Sequence, residues 1–225
     1  MPMFENVRQD LKRLGGSFRE RVREVLFNPG TWAVLSYRLR RWVYVRRAPV
    51  VIRNALSLGS RFLQTWILVS TQIDLPVTAH IGPGLYIPHT GFIVVAVGSR
   101  IGSNCTLTQG ATIGHGRGGK NSNHGVPVIG NRVYVGPSAV ITGNLTIGND
   151  ALIASGAIVI RSVPAGGVVV GNPARLISTH GSFDLVTYAG MAEDKDRKAA
   201  IAALRPPCEI KLLTSSALNT AASQQ

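Results

Sequence analysis

The residues that could perform acid–base chemistry in this sequence are histidines, with few carboxylates near them. The histidines are His80, His89, His115, His124 and His180. A histidine works best as a general base when a carboxylate fixes its tautomer and stabilises its cation. Between Glu24 and Asp150 the chain has a single acidic residue, Asp74, which precedes His89 by 15 residues. Such a pair can remove a proton from a hydroxyl group as the hydroxyl attacks an electrophile.

A six-residue repeat begins at residue 81 and indicates what positions these side chains. Its aliphatic residues are Ile81, Ile87, Ile93, Ile101, Leu107, Ile113, Ile129, Val135, Ile141, Ile147, Ile153 and Val159. Neither the helical period of 3.6 nor the strand period of two produces this spacing. It is typical of a parallel β-helix, in which three short strands form each coil and the aliphatic residue points inward. The separation of Asp74 and His89 is close to one coil, so we expect them to lie near each other.

The longer of two interruptions in the repeat places polar residues outside the predicted prism. A Gly-rich, polar loop over residues 115–128 contains His115 and His124. Loops that leave a rigid scaffold commonly carry function. We therefore expect this loop to protrude and to contribute to the site.

The rest of the chain divides into two flanking regions. Residues 1–73 predict helices, with a break at Asn28-Pro29-Gly30 and Thr31 as the cap of the next helix. The β-helix domain is predicted over residues 74–178. Residues 179–225 are predicted to be a C-terminal tail that is mobile in part.

Several motifs between Asp74 and Arg175 occur in a familiar order. They are Asp74 with Gly82, Pro88-His89-Thr90-Gly91-Phe92-Ile93-Val94-Val95, LTQGATIG at 107–114 and GNPARLI at 171–177. Over residues 20–178 the chain resembles the hexapeptide-repeat acyltransferases and, among them, the serine O-acetyltransferase family. The resemblance implies a left-handed parallel β-helix after an α-helical N-terminal region, and acetyl-CoA as the donor. It also implies a homotrimer with active sites between neighbouring prisms, His89 as general base and Asp74 orienting it.

The acceptor is predicted from two departures from that family. Serine acetyltransferases have Asp before the catalytic histidine and Arg-His-Pro at the end of the loop, which help to hold the serine ammonium and carboxylate. Here the matching residues are Pro88 and His124-Gly125-Val126-Pro127, and no Arg precedes His124. A zwitterion without counter-charges would lose charge-assisted hydrogen bonds of about 1.5–3 kcal/mol each. We therefore predict a sugar hydroxyl of a surface polysaccharide or glycan as the acceptor, contacted by His115, His124 and Pro88, with serine as the alternative.

The donor is predicted to lie along the groove between coils, as it does in this fold. Its contacts are predicted at small corner residues on successive coils and at two arginines that could meet the phosphates: Gly136, Ser138, Ala154, Ser155, Arg161 and Arg175. Small corner residues are also required by the fold alone, so each of them has a structural alternative.

Two other classes of β-helix are alternatives to an acetyltransferase. Carbonic anhydrases of the gamma class bind zinc with three histidines, two of them five residues apart. Here His89, His115 and His124 are separated by 26 and 9 residues, so we expect no metal. A purely structural β-helix would need neither the Asp-His pair nor the loop.

The charge is unevenly distributed along the chain. Residues 1–70 contain 13 Lys/Arg and 4 Asp/Glu, of a total of 24 and 11. No nucleic-acid-binding motif accompanies this excess, so we expect no nucleic-acid partner. The Arg- and Trp-rich stretch Arg38–Trp66 predicts either helices with solvated arginines or peripheral contact with an anionic membrane that carries a lipid-linked acceptor. Without the apolar segment of a signal peptide, the sequence predicts a cytoplasmic protein, at the inner face of the membrane in the second case. We also consider a dimer of trimers formed through the N-terminal helices.

Overall fold

A helical region precedes the β-helix, as the sequence predicts. The computed structural model describes residues 3–45, 50–116, 124–188 and 190–203, with only the backbone for residues 50–55 and 57. Arg46, Arg47, the middle of the predicted loop and the tail from residue 204 lie outside the described residues. The helices are α1 (Met3–Arg13), α2 (Phe18–Phe27), α3 (Pro29–Val45), α4 (Val50–Thr71) and α5 (Lys195–Ala202). α3 begins earlier than predicted, because the Asn28 side chain accepts a hydrogen bond from the Gly30 amide at 2.8 Å, and Pro29 suits the first helical position.

The prism has three faces, each a sheet of short strands that pair with the coils above and below. Sheet I contains β1 (Ile73–Asp74), β3 (Ile93–Val95), β6 (Thr112–Gly114), β9 (Val140–Thr142) and β12 (Ile158–Val159). Sheet II contains β2 (His80–Ile81), β4 (Arg100–Ile101), β7 (Val128–Ile129) and β10 (Thr146–Ile147). Sheet III contains β5 (Thr106–Leu107), β8 (Tyr134–Val135), β11 (Leu152–Ile153), β13 (Val168–Val170) and β14 (Arg175–Ser178). Among the strands that the structure describes, all pairs are parallel except β13–β14. Three stacked parallel sheets built from the six-residue repeat are the predicted left-handed parallel β-helix.

The repeat fills the interior of the prism in the predicted way. Ile113, Ile141 and Val159 stack in register along sheet I and are at most 2% exposed. The small residues at the corners are also fully buried, and they include Cys105, Ala111, Ala139, Ala151 and Ala157. Some glycines are required by coil spacing: a Cβ on Gly102 would lie 2.4 Å from the Gly130 oxygen.

Two kinds of prism edge matter for the site. We call the turns from sheet III to sheet I the His89 edge, formed by residues 87–92, 108–111, 136–139 and 154–157. We call the turns from sheet I to sheet II the loop edge, where residues 96–99, 115–127, 143–145 and 160–162 connect the strands. Sheet I therefore lies between the two edges.

The helical region is anchored to the first coils by arginines that the sequence analysis treats as solvated or lipid-facing. Arg38 is 4% exposed and donates to both oxygens of Asp10 and to the carbonyls of Ile81 and Gly82. Arg40 is 2% exposed and donates to Leu75 O at 3.0 Å. The prediction is therefore wrong for these two residues. Among the described residues, none of the helices is both long and apolar enough to span a bilayer.

Part of the predicted tail packs on the prism. Arg197 of α5 is 1% exposed, and it donates to Asp150 Oδ1 at 3.2 Å and to the carbonyls of Phe183 and Val186. Arg132 binds the same carboxylate through two hydrogen bonds of 2.8 Å. These buried contacts hold the segment up to residue 203 against the coil that contains Asp150.

Candidate active site

His89 lies on the surface of the His89 edge, where the first complete turn passes into sheet I. The turn is sharp because Gly91 and Phe92 adopt φ of 111° and 49°. The Gly91 amide donates to Thr71 O at 3.2 Å, which fixes the turn against the end of α4. The His89 side chain is exposed and faces an open cleft of about 600 Å³ between the prism and α2. An exposed imidazole in a cleft can exchange a proton with a bound hydroxyl group.

Asp74 lies on the neighbouring strand, but it contacts a different residue. It is half-buried in β1, opposite Val94, and its Oδ1 accepts a hydrogen bond from Gln64 Nε2 at 3.3 Å. Within the described part of the chain, no hydrogen bond or ion pair joins Asp74 to His89. The expected contact is therefore not formed in this structure, and the role of Asp74 stays a prediction.

The His89 edge brings three of the six predicted donor residues into one line. The Gly110 amide donates to Gly91 O at 2.7 Å, so the turn with His89 stacks directly on the next turn. The following turns continue the stack through Ser138 N to Gln109 O at 2.9 Å and Gly156 N to Pro137 O at 2.8 Å. Ser138 and Ser155 are exposed on this line, and Ala154 is half-buried beside them. A linear ligand along this edge would pass from these residues to His89.

The remaining predicted donor residues differ in position. Gly136 is buried, and a Cβ there would lie 2.7 Å from Ser155 N, so coil packing alone accounts for this glycine. Arg175 is exposed directly after the turn that extends the His89 edge, since the Ala174 amide donates to Ile158 O. Arg161 is exposed on the loop edge instead, on the other side of sheet I.

His115 and His124 meet at the base of the loop. A bridge between Gly116 and Gly125 closes the loop, and the two rings contact edge to face with centroids 4.9 Å apart. Both side chains are exposed, and the Nδ1 atom of His115 lies 2.9 Å from Gly116 O. They lie on the loop edge, whereas His89 lies on the His89 edge. Because the strands of sheet I between them span roughly 10 Å, one chain does not place these three histidines in one site.

Four residues of the cleft were missed by sequence analysis. Arg23, Glu24 and Asn28 belong to α2 and its end, and Tyr86 precedes the turn that carries His89. Burial and the neighbouring Glu24 carboxylate raise the pKa of Tyr86. The amphipathic pattern of α2 indicates a helix but not which turn of the prism it faces.

A larger cavity lies elsewhere. A cleft of about 720 Å³ between α1, α3 and sheet II is lined by Arg41, His80 and Arg100, and none of the residues that line it is acidic. Arg41 Nη2 lies 3.2 Å from His80 Nδ1, and partial burial together with Arg41 and Arg100 lowers the pKa of His80. His89 is not part of this cavity, so we place the chemistry in the smaller cleft. In the described part of the chain, no three His, Cys, Asp or Glu residues are grouped in a way that could hold a metal ion.

The repeat, the stacked edge and the exposed histidine define the class of the protein. Residues 127–161 match the family model described as bacterial transferase hexapeptide, six repeats. The chain is 34% identical to the serine acetyltransferase of Synechococcus elongatus over 180 residues, which are 80% of this chain and 70% of that protein. The Brucella abortus serine acetyltransferase in complex with coenzyme A matches with a TM-score of 0.65 and 28% identity, over 78% of this chain and 67% of that one. The Neisseria gonorrhoeae serine acetyltransferase in complex with serine matches with a TM-score of 0.64 and 28% identity, over 78% and 69%.

The chain belongs to the serine acetyltransferase family and is an acetyl-CoA-dependent O-acetyltransferase. The prediction of a sugar acceptor is wrong, because the relatives that cover most of this chain are serine acetyltransferases. That prediction rested on the missing counter-charges at Pro88 and at the end of the loop, whereas the cleft at His89 is also lined by Arg23 and Glu24. The lipid-linked acceptor that motivated the idea of membrane contact is not supported, and two of the seven arginines in the stretch, Arg38 and Arg40, are buried. Arg61 is exposed, and contact with a membrane stays a prediction.

Proposed function

We propose that the protein transfers the acetyl group of acetyl-CoA to the hydroxyl of L-serine, which yields O-acetylserine and coenzyme A. The observation that carries this proposal is the exposed His89 in a cleft with one cationic and one anionic side chain, in a chain of this family. A free amino acid brings both charges and a hydroxyl to such a site. The function belongs to cysteine biosynthesis.

His89 is the general base of the proposed mechanism. Its ring nitrogen accepts the proton of the serine hydroxyl while the oxygen attacks the thioester carbonyl. The tetrahedral intermediate then collapses, the C–S bond breaks, and the imidazolium returns the proton to the thiolate. We propose that Asp74 positions His89 and that its carboxylate leaves Gln64 to do so when the site is filled.

The donor is proposed to lie along the His89 edge. Ser138, Ala154 and Ser155 line its path, and Arg175 at its end suits a phosphate. Gly136 is proposed to make no side-chain contact with the donor, and its lack of a side chain lets neighbouring coils pack closely. Arg161 lies on the loop edge and would reach the donor only from a neighbouring copy.

The positions of the two edges support a homotrimer. Each copy has His89 on one side of sheet I and the histidine pair of the loop, His115 and His124, on the other. A cyclic head-to-tail assembly brings the loop edge of one copy to the His89 edge of the next and closes on itself. Exposed apolar side chains flank both edges and suit burial there: Phe92, Val94, Val97 and Ile160. A further pairing of trimers is supported by the open apolar cleft between α1 and α2, lined by Phe4, Phe18, Val22 and Leu26.

In this trimer each site is shared, because it combines the His89 edge of one copy with the loop edge of the next. Mixing two inactive variants tests this arrangement. His89→Ala and His124→Ala proteins are each expected to have low activity. When they are denatured and refolded together in equal amounts, about one site in four combines an intact His89 edge with an intact loop edge. Recovery of roughly a quarter of the wild-type rate supports the shared site. No recovery, with trimers present by light scattering, contradicts it.

The acceptor is tested by measuring free thiol release with acetyl-CoA and L-serine, with the product identified by mass spectrometry. We expect O-acetylserine at a rate far above thioester hydrolysis without acceptor. A rate with L-serine no higher than this hydrolysis would refute the proposed function.

A further inference from the structure

Two side chains of opposite charge line the His89 cleft, and both come from α2. Glu24 is half-buried, and its Oε2 accepts a hydrogen bond from Asn28 Nδ2 at 2.9 Å. Asn28 in turn caps α3 through its other side-chain atom, at 2.8 Å from the Gly30 amide. Glu24 is therefore held at the wall of the cleft by a residue that is itself fixed.

Both charges are available to a ligand. Arg23 is exposed and forms no hydrogen bond or ion pair with any residue that the structure describes. Consecutive residues of a helix do not face each other, and no ion pair joins Arg23 to Glu24. Because the Glu24 carboxylate bonds only the neutral amide of Asn28, its negative charge is not cancelled within the described chain.

We propose that Glu24 binds the ammonium group and Arg23 binds the carboxylate of the amino-acid acceptor, with its hydroxyl directed to His89. This rests on the proposed function and deepens it. Serine carries its two charges on one carbon and its hydroxyl on the next, so all three groups must meet partners within a few ångströms. The cleft places an anion, a cation and a base around one space of about 600 Å³, which leaves room for the donor's acetyl group.

The assignment also explains how a serine site exists without charges beside the catalytic histidine. The residue before His89 is Pro88, which has no charge, and Thr90 after it is neutral. Both residues line the cleft and give it shape. The charges that select a zwitterion are supplied by the helical region instead of the repeat.

Three acceptors test the contact of Glu24 with the ammonium and the contact of Arg23 with the carboxylate independently of each other. L-serine has both charges, ethanolamine has the ammonium without the carboxylate, and 3-hydroxypropanoate has the carboxylate without the ammonium. The variants are Glu24→Gln and Arg23→Gln, which keep side-chain size and remove charge. Arg19→Gln on the same helix and Glu193→Gln are the matched controls, since both residues are exposed and outside the cleft. KM and kcat are measured for each acceptor, and KM for acetyl-CoA is measured in parallel.

We expect each variant to bind an acceptor more weakly only if that acceptor carries the charged group that the replaced side chain contacts. Glu24→Gln should raise KM by about 10–100-fold for serine and ethanolamine and leave that of 3-hydroxypropanoate unchanged. Arg23→Gln should raise KM by about 3–10-fold for serine and 3-hydroxypropanoate alone, a smaller effect because solvent screens this exposed cation. Glu24→Asp retains the charge, so it should raise KM for serine and ethanolamine less than Glu24→Gln does. Values of kcat and of the acetyl-CoA KM should stay within about twofold of wild type.

The outcomes distinguish this inference from the proposed function. If the wild-type protein acetylates serine and both variants match the controls, the function stands and the assignment of Glu24 and Arg23 is refuted. A loss of equal size for all three acceptors also refutes it, because a disturbed fold would produce that result. If the wild-type protein does not acetylate serine, the proposed function fails and the assignment fails with it.

Discussion

The buried pair of Asp10 and Arg38 should control the stability of the helical region. Asp10 is 5% exposed, and its carboxylate accepts hydrogen bonds from Arg38 and from the amides of Gly84 and Leu85. In Asp10→Asn, the remaining oxygen can still serve the two amides, but the new amide donors face the Arg38 donors. The guanidinium is then buried without its counter-charge, which costs about 3–5 kcal/mol. For a chain of this size we expect the melting temperature to fall by roughly 6–20 °C.

The measurement is thermal unfolding followed by circular dichroism, with every variant at the same protein concentration. Glu5→Gln is the matched control, because Glu5 lies on the same helix and forms an exposed pair with Arg8 at 3.7 Å. An exposed pair contributes about 0.2–1 kcal/mol, so this control should shift the transition by only a few degrees. Equal shifts for Asp10→Asn and Glu5→Gln would show that the buried pair does not anchor α1, and the reasoning would be wrong.

Three shorter predictions concern the site and the core. His89→Ala should lower kcat by at least about 10²–10⁴-fold while coenzyme A still binds by calorimetry, and near-normal turnover would exclude it as the base. Asp74→Asn should lower kcat by at least about tenfold and alter the pH profile, whereas wild-type kinetics would leave its contact with Gln64 as its role. Burial raises the pKa of Cys105 to about 11, so a Cys208→Ser protein should show no reactive thiol until it is denatured, and rapid labelling of the folded protein would contradict this.

The prism was predictable from sequence because its geometry repeats. Each six-residue repeat forms one side of a coil and contributes one residue that points inward. The spacing alone therefore places Ile113, Ile141 and Ile153 inside the prism, where they are 0% exposed. The same register places His89, Ser138 and Ser155 at corners, and they lie on one edge. Periodicity therefore predicts the fold and the alignment of these residues along one edge, and their contact with the donor stays a prediction.

The composition of the cleft at His89 was not predictable, because the cleft forms between elements far apart in sequence. Glu24 and Arg23 reach His89 only through the packing of α2 against the first turns, and no period relates the two regions. The acceptor prediction considered only the residues next to His89 and His124 and therefore took no account of these two side chains. The contact of Arg197 with Asp150 was missed in the same way, since a buried ion pair leaves no pattern in sequence.

The proposed mechanism divides the reaction between two parts of the chain that differ in mutational constraint. The proposed base and donor path lie on turns whose neighbours are 0% exposed core residues, such as Ala111 and Ala139, so changes there disturb the stacking of coils. α2 has no buried residue, and Glu24 and Arg23 can be replaced with little effect on packing. If Glu24 and Arg23 bind the acceptor as proposed, acceptor choice can change through α2 while the His89 edge stays intact. A search for the acceptor of a related chain should examine this helix as well as the residues beside the histidine.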